Sequence, residues 1–404
     1  MKIIFIIILS IFSFTITNAK ELPVEVTADS YLLLNLDEDR IMYGKNEDKE
    51  EILASLTKIM TAYVIIKNQD NLDKFVTITE DDISELWVYT CIGLEVGNKV
   101  TYRDLLYGTL LESGADAAKS LANHFAGNVE SFVKIMNKEA QNLGLHHTHF
   151  EDPYGGEDEN VSTARELAYL LKTALKNETF KKIFETTQKR ISNGDTVINY
   201  TRSIATFHGL DDTLLKGNKS GYTDAAGLLL ASTAEINDTN YMLVVMKSKI
   251  NPYMSSNVLD TYAIYDYLKT LKFNNYNILP AGKLLKTIPV EKSTIDEYSV
   301  YLEDDINLSL TEEEYKNLKT DIHIVDKLNP LNKKGDNIGY IDILLGDEIV
   351  HTHNLYLEEN IPKIKAQTTI KIFIFISLLC LIVIIFLLTI PKRKRKKIKL
   401  IVKK

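Results

Sequence analysis

The sequence predicts an α+β fold: an antiparallel sheet with a helical subdomain, then a small all-β domain, then one C-terminal transmembrane helix. Three observations carry this. A strand hairpin comes first, helical segments fill the middle and apolar strands return late, the order of an α+β layer packing. Beyond Pro280-Ala281-Gly282 the apolar segments become short and alternating, as in a small β-domain. Ile372 to Ile390 is 19 residues without a charge, about 28 Å as a helix and enough for a hydrocarbon core of roughly 30 Å.

The elements follow in chain order. Lys2 and the apolar run Ile3 to Phe14 read as a signal segment, too short to span comfortably, with small residues at Thr17-Asn18-Ala19; cleavage is expected after Ala19, so residues 1–19 form a signal peptide. Tyr31 to Leu36 is a strand, and Arg40 to Gly44 its hairpin partner across Asp37-Glu38-Asp39. Leu56 to Ile66 is helical, with Ile59, Met60, Tyr63 and Ile66 on one face. Thr101 and Asp104 resemble a capping box before the apolar run Leu105 to Leu111. Ala115 to Phe125, Phe132 to Leu143 and Thr163 to Leu175 are three further helices. Gly227 to Thr233 and Tyr241 to Met246 are adjacent strands, and Asn257 to Leu271 is a helix that packs back on them. The first domain is placed at 20–279 and the β-domain at 280–360, with strands at Leu284–Val290, Tyr298–Tyr301, Asp321–Val325, Gly339–Leu345 and Glu348–Tyr356. A stalk over 361–371, the span 372–390 and a basic tail 391–404 complete the chain.

Charge is unevenly placed. Nine bases and no acid follow Ile390, whereas residues 20–390 carry 37 bases against 55 acids, a net of −18. The positive-inside bias puts the tail in the cytoplasm and the body outside. An acidic body does not suit nucleic acid, whose binding needs a basic face to displace phosphate counterions. Of the two cysteines, Cys380 lies in the span and Cys91 stands alone in the body, so no disulfide forms within the exported part. Cys91 has no nucleophile's setting and reads as a small hydrophobe. His146, His147 and His149 read as a solvated loop rather than a metal site, and Asp152-Pro153-Tyr154-Gly155 as a turn. Trp87 and Tyr89 either line a cleft or cover the core.

Three short motifs carry chemistry. Ser55 and Lys58 stand at i, i+3 near a helix start, so hydroxyl and amine share one face, and a lysine whose pKa is lowered can take the serine proton. Ser113-Gly114-Ala115-Asp116 links two helices. Lys219-Ser220-Gly221 precedes an apolar strand. On an edge strand its ammonium and hydroxyl can hold a carboxylate while its glycine admits substrate backbone. Singly these are weak signals; in this order they form a serine/lysine constellation known from penicillin-binding proteins and class A β-lactamases.

Around these motifs the sequence resembles the low-molecular-mass D-alanyl-D-alanine carboxypeptidases, the S11 serine peptidases. The likeness runs through Leu34–Asp37, Ala54–Ala62, Leu94–Gly97, Leu105–Gly108, Leu110–Gly114, Phe150–Gly155, Ser162–Arg165 and Lys219–Gly227, with Leu308–Thr311 and Lys334–Asp336 in the β-domain. The resemblance implies the serine β-lactamase/penicillin-binding-protein-like transpeptidase fold. It implies removal of the terminal D-alanine from peptidoglycan pentapeptide stems through an acyl-enzyme on Ser55, with Lys58 as base and Ser113 as proton relay. Lys219, Ser220 and Gly221 would bind the terminal carboxylate, and the N–H groups of Ser55 and Tyr222 would form the oxyanion hole. β-Lactams would be covalent inhibitors, and no metal or organic cofactor is needed. Two positions depart from the family pattern. Ser220 stands for the usual threonine and keeps its hydroxyl. Ala115 stands for an asparagine whose amide would bond the lysine and the substrate carbonyl, and alanine can do neither. Asn123, two turns on, does not replace it without a different geometry.

Two other functions share this chemistry. One is a catalytically weakened penicillin- or muropeptide-binding membrane protein, a sensor or pseudoenzyme, although 14 residues after the span are too few for an output domain. The other is a β-lactamase, against which the carboxypeptidase-like flanks and the β-domain argue.

Overall fold

The computed structural model describes residues 20–346, 348–364 and 367–389. The expected signal peptide 1–19 and basic tail 391–404 lie outside the described residues. Among the described residues one compact unit comprises 20–276, Asn307–Asp321 and Asp342–Thr352, and a second Asn277–Ile306, Ile322–Ile341 and 353–389.

The first unit is built on a five-stranded antiparallel sheet. Its strands are β1 (Ser30–Asn35), β2 (Arg40–Lys45), β3 (Leu215–Thr223), β4 (Gly227–Ile236) and β5 (Thr239–Ser248), in the order β2-β1-β5-β4-β3. Alternation along β5 explains why both faces are covered. Met242, Val244 and Met246 enter the core of the helical subdomain, while Leu243 and Val245 enter a second core on the other face, because successive side chains of a strand point to opposite sides. The expected strands and hairpin are present, with β4 and β5 each extending beyond the predicted ends.

The helices are α1 (Lys58–Asn68), α2 (Tyr102–Leu111), α3 (Ala115–Ala126), α4 (Val129–Asn142), α5 (Ala164–Leu175), α6 (Glu178–Phe184), α7 (Thr201–Phe207) and α8 (Ser256–Thr270). The capping box before α2 forms as predicted: Thr101 accepts from the Asp104 N–H at 3.0 Å and the Asp104 carboxylate accepts from the Thr101 N–H at 2.9 Å, which satisfies two of the donors a helix start leaves open. Helix α8 covers the second core with Val258, Tyr262 and Tyr265. The predicted first helix divides: Ala54–Thr57 is a 3-10 turn, and α1 begins only at Lys58. Helices α6 and α7 have too few apolar positions for periodicity to mark them.

Arg40, almost wholly buried, closes the first unit at β2. Its guanidinium donates to Glu38 at 3.0 Å and to the Ser309 carbonyl at 2.7 Å, and stands 3.6 Å from Glu314.

The C-terminal region has strands at Leu284–Pro289, Glu297–Tyr301, Leu318–Ile324, Asn337–Leu345 and Glu348–Tyr356, close to those expected. Two strands were not anticipated, Asn274–Leu279 and Ile306–Leu310, nor was the short helix Glu312–Lys316, which Thr311 and Glu314 cap. The C-terminal helix runs Gln367–Thr389, so the expected stalk becomes helical in its last residues. Side chains of that helix are described over Phe373–Ile385, and among the described residues no helix is long and apolar enough to cross a membrane.

Leu243 is fully buried at the centre of the sheet. Leu243→Ala is expected to cost about 2–5 kcal/mol through lost burial and the cavity left behind, measured as a lower urea midpoint at unchanged m-value.

Candidate active site

Ser55 sits on the 3-10 turn that leads into α1, and Lys58 is the first residue of that helix. The predicted i, i+3 placement brings the Lys58 Nζ to 3.0 Å from the Ser55 Oγ. Lys58 is buried at 2% exposure. Burial holds its ammonium down at about 8, while the negative charges of Asp152 and Asp116 pull the other way. A buried ammonium loses hydration that nearby carboxylates only partly replace.

A second partner holds Lys58. Its Nζ donates to the Tyr154 carbonyl at 2.5 Å. That carbonyl is placed by the turn expected at residues 152–155, which is more than a turn. Asp152 is buried and accepts from the backbone N–H groups of Tyr154, Gly155, Gly156 and Glu157 at 2.5–2.8 Å and from the Asn160 amide at 2.8 Å. One carboxylate so saturated fixes the loop. Thr61 of α1 donates to the Pro153 carbonyl at 2.6 Å. Gly155 has φ +81°, and a Cβ there would lie 1.8 Å from the Ala54 carbonyl oxygen, so the loop presses directly on the nucleophile's turn. Sequence reading missed Asp152 and Tyr154 as site residues. The signal was an acid three residues before Gly155-Gly156, which is weak alone.

Ser113 lies between α2 and α3 with φ +65°, a left-handed conformation that costs a non-glycine residue. Asp116 makes the link rigid: it accepts from the N–H groups of Ile92, Gly93 and Leu94 at 3.0–3.1 Å. The Ala115 N–H donates to the Thr90 carbonyl at 2.7 Å, so the backbone of position 115 is used while its methyl offers no polar group. Tyr89 of the same loop packs on Tyr154 with centroids 5.2 Å apart, and Trp87 is 89% exposed. Tyr89 thus packs against the 152–156 loop beside Lys58, and Trp87 does not cover the core. The Cys91 thiol is pushed up by burial and by Asp116, the opposite of a nucleophile's setting.

Strand β3 is the edge of the sheet and brings the third motif to the first two. Lys219 is 1% exposed. Its Nζ donates to the Ser113 Oγ at 2.9 Å and to the Ser220 carbonyl at 2.7 Å. Burial lowers its pKa well below the ordinary lysine range, and repulsion from Lys58 lowers it further. Gly221 faces the nucleophile: a Cβ there would lie 3.2 Å from the Ser55 nitrogen. Tyr222 follows with its side chain half exposed. The structure thus brings Ser55, Lys58 and Gly221 together and pairs Lys219 with Ser113, while Ser220 and Tyr222 flank Gly221 along β3. The histidines do not join them: His147 pairs with Glu50 and His149 with Glu151. Among the described residues no group of three or more His, Cys, Asp or Glu side chains is placed to hold a metal ion.

The arrangement supplies a hydroxyl beside a buried amine, a second amine suited to an anion and two backbone N–H groups near one glycine. That is equipment for acyl transfer through a serine ester. Comparison with known proteins points the same way. Residues 16–250 match the family described as D-alanyl-D-alanine carboxypeptidase, and residues 273–363 match the C-terminal domain of penicillin-binding protein 5. The chain is 27% identical over 365 residues to the D-alanyl-D-alanine carboxypeptidase DacF of Bacillus subtilis, covering 85% of this chain and 88% of that one. It is 36% identical over 233 residues to the D-alanyl-D-alanine carboxypeptidase of Streptomyces sp. K15, covering 55% and 77%. Penicillin-binding protein 5 from Haemophilus influenzae shares the fold with a TM-score of 0.70 at 24% identity, over 85% of this chain and 99% of that one.

Gly155→Ala is expected to strain the loop by about 1–3 kcal/mol and to displace Ser55, lowering the rate of acylation by roughly 10²-fold. Stopped-flow acylation with a fluorescent β-lactam, alongside a thermal melt, measures both.

Proposed function

The chain belongs to the D-alanyl-D-alanine carboxypeptidase family, and from that premise we propose how its own residues act. It is a serine-type D-Ala-D-Ala carboxypeptidase that removes the terminal D-alanine of peptidoglycan stems and binds penicillin. The observation that carries the assignment of roles is the 3.0 Å contact between the Ser55 Oγ and a Lys58 Nζ held near 8.

Neutral Lys58 takes the Ser55 proton, and Oγ attacks the carbonyl carbon of the penultimate D-alanine. The N–H groups of Ser55 and Tyr222 receive the developing oxyanion. As the tetrahedral intermediate collapses, the proton held by Lys58 is relayed through the Ser113 hydroxyl to the leaving D-alanine nitrogen, which returns Lys58 to its neutral form and leaves the ester on Ser55. Water activated at Lys58 then releases the shortened stem. Lys219 and the Ser220 hydroxyl hold the terminal carboxylate. Substrate binding gives Lys219 the anion its burial lacks and so favours its charged form. A penicillin follows the same path to an ester on Ser55.

Anchoring is part of the same proposal: the body lies outside the cytoplasmic membrane, held by one helix over 372–390, with the tail inside. Support comes from the uncharged run, the nine bases after it and the signal-like start. Helix side chains from Phe373 to Ile385 are exposed on every side, and a helix apolar all round belongs in lipid or in a core.

Four outcomes test these roles. A labelled β-lactam should attach to Ser55, and Ser55→Ala or Lys58→Ala should abolish attachment in a gel assay. Because Lys58 acts as a base with its pKa lowered to about 8, the acylation rate should rise with pH through that value and fall about tenfold per unit below it. Ala115→Asn should raise D-alanine release about tenfold, or roughly 1.4 kcal/mol, by giving Lys58 and the substrate carbonyl a further partner; no gain in an active wild type would show that another group fills the role. Protease added to intact cells should digest the body and spare the tail.

A further inference from the structure

We propose that the N-terminus made by cleavage after Ala19 is a ligand of its own chain: the new ammonium on Lys20 docks in a small charged groove beside β2 and pairs with Glu313. This rests on the export reading given above and not on the chemistry at Ser55. A leader peptidase hydrolyses the Ala19–Lys20 bond with water. The carboxylate departs on Ala19, and the amine left on Lys20 takes up a proton. The arm behind that amine is tied down. The Lys20 carbonyl accepts from the Gly44 N–H at 3.0 Å, on the outer strand of the sheet. The Leu22 N–H donates to the Tyr31 hydroxyl at 2.8 Å, and the Leu22 side chain is buried in the second core, with Val24 and Val26 packed against it. Thr27 donates from its N–H and its hydroxyl to Asp260 of α8, both at 2.8 Å. The first residues of a chain stay loose unless they are tied down, and here the ties reach back to residue 20 itself.

Lys20 lines a groove of about 200 Å³ with Arg40 of β2 and with Glu313 and Glu314 of the short helix Glu312–Lys316, all within the first unit. The two glutamates differ in what they already hold. Glu314 accepts from the Thr311 N–H at 2.7 Å and stands 3.6 Å from the Arg40 Nη1. Glu313 uses its backbone carbonyl on the Asn317 amide at 3.0 Å, while its carboxylate has no partner among the described residues. The charges around Arg40 are uneven as well. Glu38, Glu313 and Glu314 are three acids against the two bases Arg40 and Lys20. One more cation balances them, and an α-amine, which titrates near about 8 when free, supplies it at neutral pH. Its nitrogen lies two bonds from the carbonyl carbon whose oxygen Gly44 holds, so it stays at the groove. In the uncleaved chain the same nitrogen is an amide with one hydrogen and no charge. After cleavage it is an ammonium with three donors, and its hydrogen bonds to a carboxylate are of the stronger, charge-assisted kind.

The test uses the whole chain, exported by a bacterial host and purified in detergent, beside a second form with Gly-Ser inserted between Ala19 and Lys20, whose amine starts two residues early. Each is made with and without Glu313→Gln; that side chain is exposed and Glu314 supplies the helix cap, so the change leaves the fold intact. Intact mass should show the first form beginning at Lys20. In a brief reaction with an acetylating ester, read by peptide mass spectrometry, its α-amine should react several-fold more slowly than that of the extended form. Glu313→Gln should remove that protection and leave the extended form unchanged. Thermal melts should put the extended form about 1–3 °C lower, a gap that closes with Glu313→Gln. A mature chain that begins elsewhere, or an α-amine that reacts equally fast with and without the Glu313 carboxylate, overturns the docking. D-Alanine release, measured in parallel, should be alike in all four proteins; its absence from all of them counts against the carboxypeptidase reading, and the labelling then decides the docking by itself.

Discussion

Everything at the site depends on keeping two lysine side chains out of water, one 3.0 Å from the Ser55 hydroxyl and the other 2.9 Å from that of Ser113. An isolated buried ammonium is far costlier than a buried hydroxyl. The protein answers differently for each. Lys58 gets two acidic neighbours, Asp152 and Asp116, which act through charge, while its donors go to Ser55 and the Tyr154 carbonyl. Lys219 gets a hydroxyl and a carbonyl and no acid. The first amine is left poised between its two protonation states near neutral pH; the second waits for an anion. The different neighbourhoods give one residue type two tasks.

The two acids do structural and electrostatic work with the same oxygens. Asp152 gathers four backbone N–H groups and an amide and so curls a loop whose carbonyl reaches Lys58. Asp116 gathers three N–H groups from the segment that carries Thr90 and Cys91. Replacing either acid would change the loop and the field together, so deletion alone cannot separate the two contributions. The close approaches at Gly155 and Gly221 follow from this economy, because the loop and the strand both press on the short turn bearing Ser55.

Much of this was readable before any coordinates. The hairpin, the helices α2 to α5 and the late strands announce themselves by period and capping, and Ser55, Lys58 and Ser113 stand in short motifs whose spacing has a mechanical meaning. The rest was hidden for physical reasons. Strand β3 contains Lys216, Gly217, Asn218, Lys219, Ser220 and Gly221, a polar run that alternation does not mark as a strand, and its full extent depends on pairing with β4. The burial of Lys219 arises only when α2, α3 and β3 meet. Asp152 sits in a segment that reads as an ordinary turn; its importance lies in five donors converging on it, a property of the folded loop. The 3-10 turn before α1 lies against Gly155, a hundred residues away in sequence, and no local pattern announces that contact.

Arg40 has a consequence for how this chain can change. Its charge is buried, and two of its partners, the Ser309 carbonyl and Glu314, arrive from well past the point where the sequence reads as a domain boundary. A chain ending near Leu279 would keep the nucleophile and both lysines but take the Ser309 carbonyl and Glu314 away from Arg40, leaving it Glu38. Residues 38–40 and 309–314 therefore meet at one charge, and substitutions on the two sides act on the same contact rather than independently.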